Sequence, residues 1–373
     1  MEIKKTTVLK KIINVLLVTP DFTRAGGVTE FNKLLLRYSS RSNIIVFSMR
    51  SGASKSLLGK IVMIFVDYFR YLHILLTKNL DVIHVGPSLN KKSLKRDSIY
   101  VLLAKWFNKA VFVHWHGWNP ACENLLDQKL FLRHTLFRAD HIKLLSTRFE
   151  KKIITAGFIN TTTLGTTFVD DTLLDFDISK LVRDDFNILF LSTLSINKGI
   201  YTILDAFTIA CAKIENICLT IAGTGEELRR AQQYVQRNGI KKVKFIGHVE
   251  QLEKAEAFIN ADLYVFPSQY EGMPTSVLEA MAFGLPILCN RVGALTDFFK
   301  DGCMGMALDS GTAKDFAYYI NHFAKNRKLC HEIGVFNRTY ARQRFLASNG
   351  VERIERDYLD LTSHKITSDA FRK

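Results

Sequence analysis

The sequence predicts an α/β protein made of two Rossmann-like, doubly wound parallel-sheet domains facing a cleft. Three observations carry this. A chain of 373 residues is long enough for two separate cores. Its composition, 47% hydrophobic and 23% charged with 21 Gly and 6 Pro, excludes a disordered or fibrous chain. Short apolar runs without polar alternation are separated by longer helical stretches, the pattern of strands buried on both faces beneath crossover helices.

In chain order, MEIKKTTVLKKIINVLLVTPDF imitates a leader, but Pro20 and Asp21 end the apolar run and no small-x-small cleavage site follows, so Ile13 to Pro20 reads as the first strand. NIIVFSM (43–49), DVIHVG (81–86), AVFVHWHG (110–117) and DHIKLLST (140–147) follow as strands. Between them, residues 61–77 are interrupted by Asp67, Arg70 and His73 at near-helical spacing. A spanning helix needs about 20 nearly uncharged residues. The segment therefore reads as an amphipathic helix packed on a sheet, with a helix resting on a membrane surface as the alternative. Residues 160–186 are Thr- and Asp-rich without a sustained period and read as the interdomain connection, giving domains 1–172 and 173–373. Strands resume with FNILFLST (186–193), ICLTIAG (217–223), KVKFIGHV (242–249), ADLYVFPS (261–268), LPILCN (285–290) and MGMALD (304–309). The final helix is expected to pack back on the first domain.

The net charge of +15 is unevenly placed: residues 1–180 hold 27 Lys and Arg against 14 Asp and Glu, and residues 181–373 hold 24 against 22. The first domain therefore presents a basic surface. No nucleic-acid-binding motif accompanies the charge, so a nucleic-acid-binding protein is only an alternative. Six cysteines without a C-x-x-C pair support neither a zinc cage nor a disulfide framework, and reduced thiols in a cytosolic protein are expected.

The sharpest constellation is ADLYVFPSQYEGMPTSVLEAMAFGLPILCN, residues 261–290. A strand runs to Pro267, Pro274 takes the first helical position, and Gly284 with Pro286 stops the helix. Free amides of Thr275, Ser276 and Val277 at the helix mouth suit a phosphate. Glu279, a turn later, is in reach of a vicinal diol such as a ribose, and Glu271 faces the other end of a diphosphate-linked group. Gly26 and Gly27 open a helix after the first strand, where bare backbone can approach a phosphate. AGTGEE (222–227) is an incomplete dinucleotide fingerprint. His114 and His116 flank Trp115 and point the same way from an extended strand, so pattern alone does not choose between them. Trp115 and Trp118 offer rings for sugar stacking or for burial.

With Glu271 and Glu279 separated by seven residues inside E-G-M-P-T-S-V-L-E-A-M-A-F-G-L-P, the chain resembles the GT-B retaining glycosyltransferases of family 4. The resemblance implies a nucleotide-diphosphate sugar, UDP favoured, on the second domain and a glycan or lipid-linked acceptor on the first. It implies that Glu279 holds the ribose, Glu271 the transferred sugar's hydroxyls, and the backbone of Gly272, Met273, Thr275, Ser276 and Val277 the sugar and phosphates. It places Lys198 on the diphosphate, with Thr193 where arginine is usual, Gly26 and Gly27 across the cleft, Gly223 and Gly225 along it, and Gly247, His248 and Val249 near the base. It selects His116 as the histidine beside the transferred sugar. Neither metal nor cofactor is expected, in line with the lack of a D-x-D after any strand end. Similarity to bacterial surface-polysaccharide enzymes implies O-antigen, capsule, exopolysaccharide or lipopolysaccharide synthesis; the basic residues of 1–11, around Arg50, Lys55 and Lys60, and of 90–97 are expected to hold the first domain at the cytoplasmic face of the inner membrane, and Arg24, beside Gly26 and Gly27, to supply the charge that Thr193 lacks. A nucleotide-sugar epimerase of the same architecture is the other alternative.

Overall fold

The computed structural model describes residues 12–23, 26–50, 56–176 and 184–370, with the side chains of Leu57, Lys60 and 364–370 left out. The first half runs β1 (Ile13–Pro20), α1 (Gly27–Tyr38), β2 (Ser42–Met49), α2 (Leu57–Thr77), β3 (Val82–Val85), β4 (Ser88–Leu89), α3 (Lys91–Trp106), β5 (Ala110–His114), β6 (Gly117–Trp118), α4 (Lys129–His134), β7 (His141–Leu144), α5 (Thr147–Thr155) and β8 (Thr161–Leu164). The second runs β9 (Phe186–Leu191), α6 (Ile200–Cys211), β10 (Ile217–Ala222), α7 (Leu228–Arg237), β11 (Val243–Gly247), α8 (Gln251–Ile259), β12 (Leu263–Phe266), α9 (Thr275–Ala282), β13 (Ile287–Asn290), α10 (Leu295–Phe298), β14 (Gly305–Leu308), α11 (Ala313–Lys325), α12 (Arg327–Arg344) and α13 (Ala347–Ala370).

Two six-stranded sheets result, ordered β2-β1-β3-β5-β7-β8 and β11-β10-β9-β12-β13-β14, with parallel pairings. Both faces of each sheet are buried, which is why the central strands read as unbroken apolar runs. In β1, Val15 and Leu17 face one core while Leu16 and Val18 face another. In β12, Leu263 and Val265 are likewise separated from Tyr264 and Phe266.

Three expectations are corrected. β8 lies inside the stretch read as connection and forms the edge of the first sheet. Its Thr161–Leu164 sequence is polar because an edge strand is half solvated. The strand after α3 stops at His114, not Gly117. The helix covering residues 61–77 begins earlier, at the Ser56 cap, and its buried face joins Tyr71 and Leu75 of the core to a charged residue. Asp67 is 1% exposed, accepts from the Arg50 amide at 2.9 Å and pairs with Arg70 at 3.0 Å, while Leu58, Ile61, Val62, Phe65, Phe69 and Leu76 form a solvent-facing stripe. Among the described residues, no helix is long and apolar enough to cross a membrane.

The chain returns at its far end. Ala347, Val351, Ile354 and Tyr358 of α13 bury themselves against β1, α1, β3 and β5 of the first sheet, and Glu355 accepts the Ser40 and Arg41 amides at 3.1 and 2.7 Å.

Candidate active site

Strand order reverses between β1 and β3 in the first sheet and between β9 and β12 in the second. At such a point successive loops diverge to opposite faces and leave a crevice. The loops after β9 and β12 carry Thr193, Lys198, Glu271 and the α9 mouth; the loop after β1 carries Gly26 and Gly27.

Gly199 explains how the first pair forms. At φ 80°, a Cβ there would lie 2.5 Å from the Pro267 carbonyl, so only glycine lets this loop rest on the end of β12. Lys198 thereby pairs with Glu271 Oε1, which also accepts from Ser268 Oγ at 2.8 Å. A second pair stands deeper: Lys254 donates to Glu279 at 2.5 Å. Glu279 is 4% exposed. Burial pushes its carboxyl up, Lys254 opposes the shift, and Glu30 of α1 and Asp170 add to it. Lys254 gave no sequence signal, since in VEQLEKAEAF it looks like a solvated helix lysine and its partner is 25 residues away.

The α9 mouth differs from expectation by one residue. Pro274 is the cap, with Thr275 first in the helix, and the Val277 amide is used by the Pro274 carbonyl at 3.1 Å. The Thr275 and Ser276 amides remain at the mouth. The Ser276 hydroxyl sits 2.7 Å from the Tyr264 hydroxyl.

The glycines separate into two groups. A Cβ at Gly223 would meet the Ser192 carbonyl at 1.9 Å, at Gly225 the Leu194 carbonyl at 2.3 Å, and at Gly272 the His116 carbonyl at 2.0 Å; close backbone packing requires these three. At Gly26, Gly27 and Gly247 an added Cβ meets nothing within 4 Å, so space is open there. Thr193 is exposed, His248 pairs with Glu250 at 2.9 Å, and Val249 is 8% exposed and lines a separate cavity of about 410 Å³. Arg24 lies outside the described residues.

His116 reaches the Glu271 loop through its carbonyl. Its ring, 8% exposed, turns inward to pack edge-on against Phe31 at 4.6 Å and beside His114 at 4.4 Å, and burial pushes it down to about 3. The tryptophans are buried, at 1% for Trp115 and 3% for Trp118, and Trp118 stacks on Phe149 at 4.2 Å instead of offering a free ring face. A cavity of about 500 Å³ opens between the domains, with Arg148 and Phe149 on one side and Tyr270, Glu271 and Arg291 on the other.

Two Rossmann-like sheets meeting at a crevice lined by two lysine–glutamate pairs have the GT-B architecture. Residues 172–340 match the model of the family described as Glycosyl transferases group 1. The chain is 26% identical over 215 residues to the capsular polysaccharide biosynthesis glycosyltransferase CapM of Staphylococcus aureus, covering 56% of each. It is 27% identical over 133 residues to the lipopolysaccharide core biosynthesis glycosyltransferase LpsE of Rhizobium meliloti, covering 35% of this chain and 37% of that one. The matches therefore span little more than half of these relatives' length at most. In fold, it is similar to Anabaena HepE in complex with UDP-glucose, with a TM-score of 0.73, 19% identity, and 93% and 100% of the two chains covered. Sucrose-phosphate synthase of Thermosynechococcus elongatus gives a TM-score of 0.72 at 17% identity, with 94% and 100% covered.

Proposed function

We propose that the chain is a metal-independent, retaining glycosyltransferase of family 4 that moves a sugar from a nucleotide diphosphate, UDP by preference, to a glycan or lipid-linked acceptor in bacterial surface-polysaccharide synthesis. The observation that carries this reading is the pair of lysine-held glutamates, Glu271 and Glu279, at the crevice of a group 1 domain. A carboxylate that accepts from an ammonium accepts equally from hydroxyls, and an ammonium given a diphosphate needs no carboxylate. Donor binding is then an exchange: Glu271 takes the sugar's hydroxyls as Lys198 turns to the phosphates. Lys254 supplies a second cation in a site where Thr193 brings none. The HepE complex with UDP-glucose supports the choice of base.

The leaving diphosphate, stabilised by Lys198 and the α9 amides, accepts the proton of the attacking hydroxyl on the face it departs from, so no side chain serves as nucleophile. Glu271 orients the sugar, and His116 helps shape the site from the first domain. Nucleoside diphosphate release tests the reading, with a panel of sugar nucleotides and with or without lipid-linked acceptor. Release is expected only with acceptor and is expected to survive excess EDTA. Acceptor-free isomerisation of the sugar would mean an epimerase, and loss of activity restored by magnesium would remove the metal-free mechanism.

The first domain is also proposed to rest on the cytoplasmic leaflet. Its apolar stripe lies on α2, which packs on α3, and the first turns of α3 expose Lys91, Lys92 and Lys95. Apolar side chains beside lysines suit an anionic bilayer, to which each cation adds about 1 kcal/mol. Lys55 and residues 1–11 lie outside the described residues.

A further inference from the structure

His84 of β3, His114 at the end of β5 and His116 just beyond bring ring nitrogens within 4.8 Å of one another. Strand pairing explains the grouping. β3 sets His84 opposite Phe112, so His114 stands two residues along on the same face, and His116 continues the row. The rings are 0%, 0% and 8% exposed.

Four nitrogens in this cluster have no hydrogen-bond partner: Nε2 of His84, both nitrogens of His114, and Nε2 of His116. A buried histidine with a purely structural role looks different. His141, in the same sheet, lies 3.0 Å from Thr161 through Nδ1 and 2.8 Å from Thr163 through Nε2. Buried polar atoms are normally satisfied, so four unsatisfied imidazole nitrogens at one spot call for a ligand. Each neutral ring offers one lone pair, so a single ion that accepts one from each of the three rings, as a metal ion does, would satisfy three of the four.

We propose that His84, His114 and His116 bind one divalent transition-metal ion of the zinc class. Three imidazoles suit zinc, copper, cobalt or nickel. Metal–nitrogen bonds of about 2.0–2.1 Å need nitrogens a little over 3 Å apart, so the three rings, now within 4.8 Å, would draw together around the ion. His84 already has the supporting contact that ligating imidazoles take. Its Nδ1 lies 2.5 Å from the Tyr358 hydroxyl of α13, leaving Nε2 for the ion. The nearby cation, Lys143, is matched by Asp357 at 2.6 Å. The ion would tie β3 to the segment whose His116 carbonyl meets Gly272. Its role is to hold that segment, apart from the transfer chemistry.

The test uses the full chain, stripped with chelator, incubated with cobalt(II), dialysed and read by visible absorption and elemental analysis. One cobalt per chain is expected, with ligand-field bands of nitrogen coordination. His84→Ala should lose it, and Tyr358→Phe should bind 10- to 100-fold more weakly. If His84→Ala fails to fold by circular dichroism, His116→Gln is read in the same way. A wild-type chain that retains no cobalt, or variants that retain as much as wild type, would overturn the proposal. Activity lost to chelator and restored by zinc but not magnesium would belong to this site and leave the transferase reading standing.

Discussion

Lys198 and Glu279 carry opposite consequences for the protein. Lys198 is partly exposed and its partner Glu271 keeps Ser268, so Lys198→Ala should leave the fold intact while lowering kcat/KM by about 100-fold or more, measured with a saturating acceptor. Glu279 is held where its charge is disfavoured, because burial raises its carboxyl pKa despite Lys254. A raised folded-state pKa gives stability at low pH that is lost as pH rises, so at pH 8 the charged form costs the fold. Glu279→Gln should therefore melt above wild type at pH 8. The gain should vanish as pH falls below the ordinary carboxylate range, and the same variant should bind nucleoside diphosphate more weakly by calorimetry. Both glutamates were legible in the sequence because a strand end, a loop and a helix stop frame them within one local stretch. Lys254 and the inward turn of His116 were not, since each depends on contacts made by distant segments, Glu279 for one and Phe31 for the other.

At the scale of elements, α2 packs into the core through Tyr71 and Leu75, as an amphipathic helix on a sheet does, yet it also buries a carboxylate and leaves a stripe of apolar side chains outside. Periodicity reveals a helix and its two faces, but not which face the protein covers. Here Asp67 and Arg70 cap and brace β2 beside the buried Tyr71 and Leu75, and a second apolar stripe is left outside. Phe65 and Phe69 are 60% and 70% exposed, so Phe65→Ser with Phe69→Ser should change the melting temperature little. The same pair should abolish co-sedimentation with anionic vesicles at low salt; retained binding would assign the stripe to something other than lipid. β8 shows the converse limit, in that a short threonine-rich edge strand carries no apolar signal and becomes visible only through its pairing with β7.

For the molecule as a whole, α13 matters most. The final helix contributes four side chains to the core beneath the first sheet, so that core is assembled from both ends of the described chain. Ile354, 1% exposed, should cost about 2–5 kcal/mol when replaced by Ala. All three tryptophans, Trp106, Trp115 and Trp118, lie in the first domain, so the loss should shift the denaturant transition seen by tryptophan fluorescence. An unshifted transition would mean that the helix adds little there. The same packing has a consequence for biosynthesis. The first sheet is complete at Leu164, yet its cover begins at Ala347, about 180 residues later. At about 5–20 residues per second, a ribosome needs roughly 10–40 seconds to make that stretch. For that interval Ile13, Val15, Val82 and Phe112 have Phe31 and Leu35 of α1 but not α13 to cover them, and the domain synthesised first finishes folding only after the second has been made.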